Sequence, residues 1–217
     1  MNPVPEAPAA GGRERVRMFV AISLPVLLLD KVTQVQRRLR AHPDAKPVRW
    51  ARPEQVHLTL KFLGNVAGGE LSRLAEALTS ACAGLKVFEL GLAGLGCFPH
   101  TSNPRVVWIG VTGAVTQLEN LQRRVEEALR GFGEHTDEAR TFHPHLTIGR
   151  VNARGDEGRR LGDLLVRERV PGLGAWPVRQ VELVQSELNP QGARHTVVHS
   201  VPLSAGIGIM NRGEEIA

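Results

Sequence analysis

His57-Leu58-Thr59-Leu60 and His145-Leu146-Thr147-Ile148 are two copies of one pattern, His-apolar-Thr-apolar. Such alternation belongs to a strand, where residues i and i+2 share a face. Each copy therefore turns a histidine and a threonine to one side and two aliphatic residues to the other. Two such strands brought together set two imidazoles and two hydroxyls around one small volume. Two imidazoles suit a reaction in which one proton is removed while another is delivered. Chance would produce two copies in roughly one chain of 500 with this composition, a false-positive rate that a motif match has to carry. The plain alternative is two amphipathic strands whose histidines are satisfied locally.

In-line displacement at phosphorus needs a base at the incoming oxygen and an acid at the departing one, on opposite sides. Two histidines near their ordinary pKa of about 6.5 divide those tasks near neutral pH, one neutral and one protonated. Thr59 and Thr147 can donate to the non-bridging oxygens, and losing one such donor costs about 3 kcal/mol of transition-state stabilisation. Arg150, at the end of the second copy, is either a surface charge or a bidentate grip for a phosphate. Metal binding by the two histidines lacks a third ligand nearby, so no metal and no cofactor are expected. No Gly-x-Ser-x-Gly occurs, and neither Cys82 nor Cys97 has a reactive context.

The elements that must position these residues follow from the patterning. A chain of 217 residues, 42% hydrophobic and 23% charged, can bury a real core. The net charge of +5 favours anionic partners without establishing one. Residues 1–15 and 205–217 read as flexible tails around a single domain, 16–204. No signal peptide or membrane-length apolar run is visible, and two unpaired cysteines suit the cytoplasm. Strands are expected at Arg17–Ile22, Val48–Trp50 (a strand or turn), His57–Leu63, Val87–Leu92, Val106–Val111, His145–Val151, Val178–Leu188 and His195–Leu203. A hairpin turn at Asn189–Gly192 joins the last two. Helices are expected after Leu24-Pro25, with Val26, Leu29, Val32, Val35 and Leu39 inward, and at Glu70–Ala83, Thr116–Phe132 and Asp156–Arg169. Cys97 falls in the Gly-, Pro- and Asn-rich loop expected between the fourth and fifth strands. The order suggests an α+β fold of two similar halves with mainly antiparallel sheets, each half supplying one His-x-Thr strand to a cleft.

The doubled motif resembles the 2H phosphoesterase superfamily, and more narrowly the RNA 2′,3′-cyclic phosphodiesterases, also called 2′-5′ RNA ligases. The resemblance runs from about Arg17 to Leu203. It rests on Arg17–Ile22 with Leu24-Pro25, Val48-Arg49-Trp50 and Pro53–Leu60. It continues through Gly96–Pro99, Pro104–Gly110, Phe142–Thr147 with Arg150, and Ser186-Glu187-Leu188. It implies a bilobal fold, two sheets facing a central cleft with helices outside. It implies metal-independent opening of a ribose 2′,3′-cyclic phosphate to a 2′-phosphate, with His57 as acid to O3′ and His145 as base to water. Thr59, Thr147 and Arg150 would hold the phosphate, and reversal would form a 2′-5′ linkage. Phe19 either borders the nucleoside pocket or packs in the core. Relatives commonly carry a Tyr after the Ser-Glu-Leu hairpin; this chain has no Tyr, and His195 takes the place, to stack on or bond a base or to cap a strand. The expected partner is RNA with a 2′,3′-cyclic phosphate end, or a cyclic nucleotide, bound by a monomer. The competing readings are a non-catalytic RNA- or nucleotide-binding module, and a related enzyme for ADP-ribose cyclic phosphate or 2′-5′-linked oligonucleotides.

Overall fold

The computed structural model describes residues 15–134, 141–189 and 192–205. The expected tails lie outside these residues, except for Arg15 and Ala205. Nine strands are described: β1 (Arg15–Ile22), β2 (Val48–Trp50), β3 (Leu58–Ala67), β4 (Phe88–Phe98), β5 (Val106–Gly113), β6 (His145–Val151), β7 (Gly174–Val178), β8 (Gln180–Asn189) and β9 (Gly192–Pro202). Four α-helices accompany them: α1 (Val26–Arg40), α2 (Leu71–Cys82), α3 (Val115–Ala128) and α4 (Gly155–Arg167). The strands form one curled path, β7-β4-β5-β6-β3-β1-β8-β9, with β2 added on β6. Every strand pair on it is antiparallel.

The path has two arms. β1, β3, β8 and β9 make the first; β2, β4, β5, β6 and β7 make the second. They are joined by a single residue pair, Leu58 opposite Leu146. These are the second residues of the two motifs. The antiparallel sense of that pair sets His57 toward Thr147 and Thr59 toward His145, as a local two-fold would. Both leucines are fully buried, so the core holds the junction that brings the motifs together.

The arms do not correspond to successive halves of the chain. β8 and β9 return to the first arm, while β4 and β5 leave for the second. The helices cross likewise. α1 lies behind the second arm, where Lys31 donates to the Leu173 carbonyl and Arg38 to that of Arg169. α3 lies behind the first arm, where Glu126 pairs with Lys61 of β3. The opposite face of the sheet is left open.

Local patterning accounts for most elements, and the departures have physical causes. In α1 the buried residues are Leu28, Val32, Val35, Gln36 and Leu39. Val26, expected inward, is 72% exposed, and Leu28 takes that side of the first turn. β4 runs through the segment expected as a loop, which places Cys97 in a strand. Gly94 is the extra residue of a bulge, at φ +79°, a conformation that favours glycine. At Gly96 a Cβ would lie 2.2 Å from the Trp108 ring. These glycines therefore mark a bulge and a close contact rather than a turn. The strand expected from Val178 is two strands, β7 ending at Val178 and β8 starting at Gln180; β7 holds Pro177 as an edge strand, where proline is tolerated. The hairpin pairs through Asn189 and Gly192, with Pro190 and Gln191 outside the described residues.

Candidate active site

A bulge falls on the last residue of each motif. Thr59 pairs with Ala21 and Lys61 with Val20, so Leu60 is extra in β3. Thr147 pairs with Trp108 and Gly149 with Val107, so Ile148 is extra in β6. Leu60 and Ile148 are the fourth residues of their motifs. Side chains alternate strictly only in regular strand, so a bulge reverses which face the later residues take.

The reversal decides where Arg150 points. It stands five residues after His145, an odd step that regular alternation would send to the helix side. Through the bulge, Arg150 pairs with Val106, which shares a face with Trp108 and Gly110, the partners of Thr147 and His145. The other face carries fully buried Val107 and Ile109. His145, Thr147 and Arg150 thus share the open face. In the first arm the equivalent position is Phe62, paired with Phe19 and 60% exposed. Phe62 escaped sequence reading; its offset from His57, equal to that of Arg150 from His145, was the available signal.

Each histidine is seated among aromatic rings. The His57 ring stacks on Phe19, centroids 4.6 Å apart and planes at 22°. His195 meets both edge-on, 5.0 Å from Phe19 and 5.2 Å from His57. It lies within β9 opposite Ser186, so it does not cap a strand. His145 sits 4.9 Å from Phe98, edge-on, and 6.4 Å from Trp108. Phe19 is only 4% exposed; it serves as the floor under His57, and Phe62 beside it offers the open ring. His57 itself immediately precedes β3 rather than opening it.

The backbone two residues earlier acts on each imidazole. His145 Nδ1 donates to the His143 carbonyl at 2.6 Å, which leaves Nε2 free in the neutral ring. His57 is bonded to the backbone of Gln55, also two residues earlier. The hydroxyls of Thr59 and Thr147 have no hydrogen-bond partner among the described residues, and neither does the Arg150 guanidinium.

The electrostatics differ from the expected division of protons. Burial is the main cause that lowers His57, to about 4, and His195 adds to it; the Gln55 bond pushes the other way. His145 is also lowered, mainly by burial, with the His143 bond opposing and the His143 charge assisting. Burial lowers His195. No carboxylate among the described residues is bonded to His57 or His145 to favour a cation. Both are neutral in the free protein at neutral pH. An anion bound against them raises their pKa values, since an opposite charge within about 4–6 Å favours the protonated form.

Other chemistries find less here. Burial pushes the Cys82 thiol up to about 11 despite Arg124, and raises Cys97. Among the described residues no group of three or more His, Cys, Asp or Glu is placed to hold a metal, and no helix is long and apolar enough to cross a membrane. A surface hollow of about 360 Å³ lies away from the histidines, lined by Gly94, Thr101, Leu165, Arg169 and Pro171 among others.

An α+β fold in which two His-x-Thr segments meet defines the 2H phosphoesterase class. The description of the 2′-5′ RNA ligase superfamily matches residues 27–190, and the chain belongs to that family. It is 36% identical over 183 residues to the RNA 2′,3′-cyclic phosphodiesterase of Methanothermobacter thermautotrophicus, covering 84% of this chain and 96% of that one. With the enzyme of the same name from Archaeoglobus fulgidus it shares 35% identity over 179 residues, 82% of this chain and 94% of the other. A solved Thermus thermophilus protein superposes with a TM-score of 0.66 at 28% identity, covering 86% of this chain and 97% of that one. Escherichia coli LigT, at 23% identity and a TM-score of 0.65, covering 88% and 99%, shares the fold.

Proposed function

We propose that this protein opens the 2′,3′-cyclic phosphate at the end of an RNA to a 2′-phosphate, by proton transfer between two histidines and without a metal. The observation that carries this reading is the pair of motif imidazoles brought together where the two strands meet at one residue pair, with His145 Nδ1 held by the His143 carbonyl. The free Nε2 of His145 accepts a proton from water as the water oxygen bonds to phosphorus. The bond from phosphorus to O3′ breaks, and His57 delivers a proton to O3′. The diester's negative charge supplies what the free site lacks, the field that holds a proton on His57. Thr59, Thr147 and Arg150 bind the non-bridging oxygens, and His195 borders the nucleoside, with Phe19 as the floor beneath it and His57. A 5′-hydroxyl in place of water gives a 2′-5′ linkage by the same transfers. The unit that acts is a single domain, residues 16–204, working as a monomer in the cytoplasm.

The test is incubation of EDTA-treated protein with RNA ending in a 2′,3′-cyclic phosphate, the product resolved by NMR or mass-coupled chromatography. A 2′-phosphate is expected. A 3′-phosphate would reverse the ring-opening assignment. RNA binding without turnover would favour a non-catalytic module, and turnover confined to another cyclic or 2′-5′-linked compound would change the substrate.

A further inference from the structure

Arg49 stands directly opposite Arg150 in the β2–β6 pair. Residues directly opposed in an antiparallel pair point to the same face. The bulge at Ile148 puts Arg150 on the open face, so Arg49 is there too. Its neighbour Val48 pairs with Val151 and is buried on the helix side, which fixes the alternation independently. Both arginines are exposed. Neither guanidinium has a hydrogen bond or ion pair with a described residue, whereas Arg38, Arg52, Arg123 and Arg159 all meet carboxylates. Like charges directly across a ladder are destabilising. A bound polyanion relieves that repulsion.

We infer that Arg49 is a second phosphate contact, which takes the internucleotide phosphate on the 5′ side of the terminal nucleotide and so selects RNA ends over cyclic mononucleotides. This rests on the reading of the substrate as an RNA end. Across the bulge Arg150 stands opposite Val106, two residues along β5 from the partner of Thr147, so it lies about 7 Å along the strand. Arg49 lies a further strand spacing to the side, about 4.8 Å. A chain whose cyclic end sits between the histidines has only one direction to continue, 5′, and its next negative charge is a phosphodiester. Guanidinium contacts of this kind position the backbone without reading a base.

The test compares Arg49→Gln and Arg49→Lys with the unaltered protein. The probes are a trinucleotide ending in a 2′-phosphate and the matching nucleoside 2′-monophosphate, neither of which turns over. Arg49→Gln should weaken the trinucleotide about tenfold and the mononucleotide less than about twofold, and lower the salt slope of trinucleotide binding by about 0.7, the value for one single-strand phosphate contact. Arg49→Lys should restore most of the slope. Equal losses on both probes would make Arg49 a second clamp on the terminal phosphate and overturn the inference, as would no loss on either. Hydrolysis of the corresponding cyclic compounds by the unaltered protein is measured in parallel. Its absence would sink the proposed function, while the binding comparison still decides the role of Arg49.

Discussion

The side-chain amide of Gln36 donates to the carbonyl of Ile148 at 2.9 Å, and Ile148 is the bulged residue that turns Arg150 onto the open face. The same amide reaches the Ala51 carbonyl at 2.9 Å, and Gln36 is only 3% exposed. Gln122 of α3 approaches the carbonyl of Leu60, the bulged residue of the other motif, at 3.4 Å. Each motif thus has its irregular residue held from behind by a helical glutamine. Gln36→Met keeps the volume and removes the donor. It should cost about 1–3 kcal/mol through the carbonyls left short of a partner and lower kcat/KM about tenfold or more through displacement of Thr147 and Arg150. Thermal unfolding and turnover per folded molecule check both. Full activity in a destabilised variant would limit Gln36 to a structural role.

The lowered histidines fix a sign for the pH dependence. The pH profile of kcat/KM reports the free protein. There His57 titrates near 4 and His145 below its ordinary 6.5. Turnover needs one proton shared by the pair, so the profile should be a bell whose maximum lies between about 4 and 6.5. It should fall on the alkaline side as that proton is lost. In the complex the diester's charge raises both values, so the kcat profile should move to higher pH. An optimum of kcat/KM at pH 8 would contradict the assignment of both proton transfers to these groups.

Replacing either histidine by alanine should lower turnover by about 10²–10⁴, the usual worth of a placed acid or base, with circular dichroism unchanged. Both side chains are only partly buried, so removal leaves no large cavity. An active His57→Ala protein would remove it as the acid.

What could be read from the sequence was what depends on alternation and helical spacing. The two motifs, the His145–Val151 strand and the face of α3 with Leu118, Leu121 and Val125 were visible in this way. What could not be read depends on partners far along the chain. The bulges at Leu60 and Ile148 exist only against β1 and β5, so the faces of Phe62 and Arg150 could not be assigned from their own strands. The lowered pKa of His57 likewise arises from burial on Phe19 and from His195, which stands 138 residues later. The glycines of β4 misled because a glycine that admits a ring looks, in sequence, like one that makes a turn.

Gly96 makes that last point testable. A Cβ there would meet three atoms of the Trp108 ring within 2.7 Å, and Trp108 with Phe98 forms the wall beside His145. Gly96→Val should force the indole out of place, cost about 1–3 kcal/mol as an overpacked site, and reduce turnover. Tryptophan fluorescence and unfolding curves would detect the shift. A variant with unchanged emission, stability and activity would show that the wall does not depend on this contact.

Thr147 isolates the contribution of a hydroxyl from that of a strand. Its Oγ1 has no hydrogen-bond partner among the described residues, so Thr147→Val leaves no protein group unsatisfied. Valine also suits a strand at least as well as threonine, and stability should hold or rise slightly. Turnover should nevertheless drop by about 10²–10³, the loss seen when one donor to a developing oxyanion is removed. The loss should lie in kcat more than in KM, because the donor is needed most when charge gathers on the phosphoryl oxygens. Thr147→Ser should recover most of it. Equal activity in the valine and serine variants would assign Thr147 to strand packing and leave the phosphate to Arg150 and Thr59.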